Sequence, residues 1–69
     1  MKSEMKRIYA LNKEGLPVRV FLINPEHVIA VEADKEKNII SIFCRDGVHI
    51  TLEGNENLID GILNLFTEG

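Results

Sequence analysis

The chain has 69 residues, 45% hydrophobic and 28% charged, which leaves room for one domain (residues 1–69) and reads as globular rather than disordered. Cys44 is the single cysteine, so no internal disulfide can form, and no Cys/His pairing suggests a structural metal. Association with a second copy or another protein is then the remaining common way to support so small a core. The net charge of −3 is uneven: residues 1–45 hold eight basic and six acidic side chains, and residues 46–69 hold five acids with no Lys or Arg.

In chain order, residues 1–5 read as a frayed start. Residues 7–11 form a first strand, closed by Asn12-Lys13-Glu14-Gly15, which suits a type I turn with Gly15 in the left-handed conformation. Residues 18–23 are strongly β-prone, and Pro17 fits a strand start on a sheet edge. Asn24-Pro25-Glu26-His27 then breaks the chain, with the Asn24 side chain placed to bond the backbone two residues on.

A third strand follows at 28–33, then a charged loop at 34–38 and a fourth strand at 39–45. Asp46-Gly47 between apolar runs is the strongest hairpin signal in the chain. It leads to a fifth strand in which Val48, Ile50 and Leu52 alternate inward and His49, Thr51 and Glu53 outward. At Gly54-Asn55 the period changes: Asn55 caps a helix and Glu56 complements its dipole. Leu58, Ile59, Ile62, Leu63, Leu65 and Phe66 then fall on one wide helical stripe. The expected fold is α+β, a small curled antiparallel five-stranded sheet or partial barrel followed by one C-terminal amphipathic helix.

One helix cannot cover all the apolar surface of such a sheet. Phe21, Ile23, Ile39 and Phe43 stand opposite the stripe set by Ile40, Ile42 and Cys44 and by Val18, Val20 and Leu22. Either the sheet curls to enclose them, or they form an exposed partner-binding patch. No uninterrupted apolar run exceeds four residues, against the roughly 20 that span a bilayer. No membrane insertion is expected, and no signal peptide is recognised at the start. The expected location is cytoplasmic.

Catalytic chemistry finds little support. His49, Thr51 and Glu53 share a strand face, but that pattern is also an ordinary solvated surface, and His27 lies in a turn. Cys44 alternates with Ile40 and Ile42, as a buried small hydrophobe does, and Arg45 is placed to pair with Asp34 or Glu32 across the hairpin. No phosphate-binding loop or nucleophile–base arrangement occurs. The chain therefore reads as not an enzyme, with no catalytic residue, cofactor or metal ligand. A nucleic-acid surface, as the alternative to a protein partner, would have to use Lys6, Arg7, Arg19 and Arg45, helped by Lys35 and Lys37, because the acidic last third repels phosphate.

The order of strands, turns and helix resembles the small flagellar FlbD/SwrD family. Leu11-Asn12, Gly15, Phe21-Leu22-Ile23-Asn24-Pro25-Glu26-His27-Val28, Glu32, the Gly47 turn and Leu58-Ile59-Asp60-Gly61-Ile62-Leu63 carry the resemblance, over roughly residues 7–66. It implies a non-enzymatic accessory of the flagellar motor, with no catalytic residues to carry over. Residues 25–33, Ile39-Ile40-Ser41-Ile42 and Asp46-Gly47 also resemble the strand pattern of LytTR-type DNA-binding domains, which would imply a transcriptional regulator. The strand-strand-helix order is similar in architecture to the RNA-binding carbon-storage regulator, whose basic C-terminal motif is absent here.

Overall fold

A computed structural model describes residues 4–67. The expected frayed start therefore lies partly outside the described residues; Glu4 and Met5 precede the first strand without regular structure. The elements follow the chain as β1 (Lys6–Leu11), β2 (Pro17–Ile23), β3 (Val28–Asp34), β4 (Ile39–Cys44), β5 (His49–Glu53) and α1 (Glu56–Thr67).

Each boundary has a local cause. The β1–β2 turn is held by Asn12, whose carbonyl accepts from Gly15 N–H at 3.0 Å while its side-chain Oδ1 accepts from Glu14 and Leu16 N–H, both at 2.9 Å. Gly15 has φ 82°, which a side-chain-bearing residue adopts only at a cost. Before β3, a short 3-10 turn spans Pro25–His27, and Asn24 Oδ1 accepts from Glu26 N–H at 2.9 Å, as the sequence leads one to expect. In the charged loop Asp34 Oδ1 accepts from Glu36 and Lys37 N–H. Between β4 and β5, Asp46 and Gly47 both take positive φ, 66° and 75°, the mirror-image turn whose twist matches that of paired strands. Asn55 caps α1, its Oδ1 accepting from Leu58 N–H at 2.9 Å.

The sheet is divided. β1 and β2 form a two-stranded antiparallel ribbon, and β3, β4 and β5 form a separate antiparallel sheet with β4 in the centre. The fold is α+β with a C-terminal helix, but the single five-stranded sheet or partial barrel is not what forms. β1 lies near β5 without joining its ladder. Two small inner faces and one helix thus enclose the core.

That core is Ile8, Ile23, Ile40, Ile42, Leu52, Ile59 and Ile62, with Phe21, Ala10, Ile50, Leu63 and Phe66 among the half-buried side chains packed around it. Ile40 and Ile42 are wholly enclosed, as expected for alternate residues of a central strand. Ile59 and Ile62 bring the helical stripe onto them, and Leu58, Leu65 and Phe66 flank it. Val48, expected inward, instead caps the turn ahead of β5 and is exposed.

Two register shifts decide which residues face the core. In the ribbon Leu11 stands opposite Pro17, but Ala10 stands opposite Arg19, so one residue of β2 is extra there. Beyond that bulge Ile8 faces Phe21 and Lys6 faces Ile23. Side chains directly opposite each other share a sheet face, so Phe21 and Ile23 turn inward with Ile8. A second shift between Val28 and Ala30 leaves Ile29 pointing outward.

Candidate interaction surface

The alternation that buries Ile8 and Ile23 and packs Ala10 and Phe21 around the core turns the intervening side chains of the ribbon outward. Tyr9 stands opposite Val20 and Arg7 opposite Leu22. On this outer face Tyr9 is 42% exposed, Val18 56%, Val20 54% and Leu22 58%. Pro17, Val18, Arg19 and Val20 are consecutive and all exposed, so the turn end of the ribbon stands clear of the body on both sides. A shallow hollow of about 300 Å³ lies against Tyr9, Pro17, Val18, Arg19 and Val20. Arg19 holds its guanidinium 5.1 Å from the centre of the Phe21 ring, a cation–π distance.

The four residues expected to form one apolar patch do not do so. Ile23 is 6% exposed and belongs to the core, and Phe21 packs against it, because the ribbon's bulge turns both inward. Ile39 and Phe43 lie half-buried on the other face of β4 from Ile40 and Ile42, on a different sheet. Phe43 stacks on His49 at 5.7 Å between ring centres. Beside them Ser41 Oγ and Thr51 Oγ1 share a hydrogen bond of 3.2 Å, so this face is a polar one with a single aromatic pair. The patch that does form, Tyr9, Val18, Val20 and Leu22, escaped the sequence reading because β2 is apolar on both faces.

Of the basic residues, Lys6 and Arg7 lie on β1 and Arg19 on β2, all in the ribbon. Arg45 lies on the turn after β4, at a cleft of about 250 Å³ bordered by Leu22, Ile23, His27, Cys44 and Asp46. It is not placed to pair with Asp34, which stands opposite Ile39 at the far end of the β3–β4 ladder. Glu32 stands opposite Ser41, also remote from the turn. Lys35 makes its ion pair with Asp60 of α1 at 3.2 Å, and so ties the charged loop to the helix. Cys44 is half-buried at the cleft, rather than enclosed like Ile40 and Ile42.

Among the described residues no group of three or more His, Cys, Asp or Glu side chains could hold a metal ion. Nor, among the described residues, is any helix long and apolar enough to cross a membrane. No family model, no curated protein and no solved structure matches the chain.

Proposed function

We propose that this chain is a small non-catalytic interaction domain whose binding element is the β1–β2 ribbon. The observation that carries the reading is the outer row Val18, Val20 and Leu22, more than half exposed beside Tyr9, in a chain whose buried core, among the described residues, is seven side chains. Apolar rows of this kind on small domains mark contact surfaces. Residues 6–19 hold Lys6, Arg7, Lys13 and Arg19 against Glu14 alone, a balance of +3 within a chain of net −3. The partner that fits is a protein segment with an apolar centre and acidic flanks, drawn in by the basic rim and held by the apolar row. The resemblance to the flagellar family fits such a role and suggests a motor component as the partner.

The test is selection of peptides against the intact chain, followed by fluorescence anisotropy with wild type and Tyr9→Asp. Tyr9 is outward and half-exposed, so the variant keeps its circular dichroism spectrum. Peptides with apolar centres and acidic flanks are expected, and their affinity should fall at least tenfold on Tyr9→Asp. Equal binding to both forms refutes the reading.

A nucleic-acid role is the second reading, favoured by the gathering of Lys6, Arg7 and Arg19 on one ribbon. It requires duplex binding that weakens steeply with salt, and the acidic β5–α1 segment opposes it.

A further inference from the structure

We draw no further inference here: the strongest candidate, the cleft of about 250 Å³ between the end of β2 and the β4–β5 turn, bordered by His27, Cys44 and Arg45, holds no buried polar side chain among the described residues, and nothing in the structure shows what fills it.

Discussion

Leu22 and Ile23 are neighbours of similar size on one strand, and the structure assigns them opposite fates. Ile23 is 6% exposed in the core, and Leu22 is 58% exposed on the outer face. Truncating Ile23 to Ala removes buried methyl and methylene groups and leaves a void, at a cost of about 2–5 kcal/mol. Truncating Leu22 to Ala removes atoms that already face water, and its cost should stay within about 0.5 kcal/mol. A domain of 69 residues has a total stability of roughly 3–10 kcal/mol, so the first change consumes a large share of it. With a urea slope of about 1 kcal/mol per molar for so small a protein, Ile23→Ala should lower the midpoint by at least 2 M, or unfold the chain outright. Leu22→Ala should shift it by about 0.5 M at most. Equilibrium urea unfolding followed by circular dichroism, at a dilution that keeps the chain monomeric, measures both. Equal shifts, or a larger one for Leu22→Ala, would show that β2 presents its other face to the core and would remove the proposed binding row.

Other substitutions probe separate links. Asn55→Ala deletes the acceptor for Leu58 N–H and should cost about 1 kcal/mol in thermal or urea unfolding; no loss would mean that α1 starts elsewhere. Gly61→Ala meets open space within the helix and should stabilise the chain by up to about 1 kcal/mol, read as a higher urea midpoint. Gly47→Ala forces a side chain to φ 75° and should cost about 1 kcal/mol, whereas an unchanged midpoint would argue against the positive-φ turn. Lys35→Ala breaks an exposed ion pair with Asp60, and its effect should stay below about 1 kcal/mol and shrink further in high salt.

Much of the local structure was legible along the chain because its causes are local. Asn12, Asn24 and Asn55 each bond a backbone N–H within four residues, so their roles depend on nothing distant. Asp46-Gly47 needs only the conformational freedom of its own two residues. The apolar stripe of α1 follows from 3.6-residue spacing, and Ile59 and Ile62 at its centre are buried. On β4 the alternation of Ile40 and Ile42 points to the core whatever their neighbours do.

β2 is the contrasting case. Its sequence is apolar on both faces, so period alone assigns neither to the core. The antiparallel turn at Asn12–Gly15 would, without a bulge, place Ile8 opposite Val20 and bury Val18, Val20 and Leu22. The extra residue opposite Ala10 moves each later pairing by one position and exchanges the two faces, because side chains alternate with period two. The separation of the strands into two sheets is likewise settled by which edges meet.

What the amino-acid sequence determines by itself, to within a residue, is where each element starts and stops, because caps, turns and periodicity act over a few residues. Which face of β2 is buried, and hence which residues remain for a partner, was decided by a single inserted position in the ladder. Phe21 and Ile23, turned inward by it, complete a core with residues from β4, β5 and α1, and burial of that apolar surface favours this register.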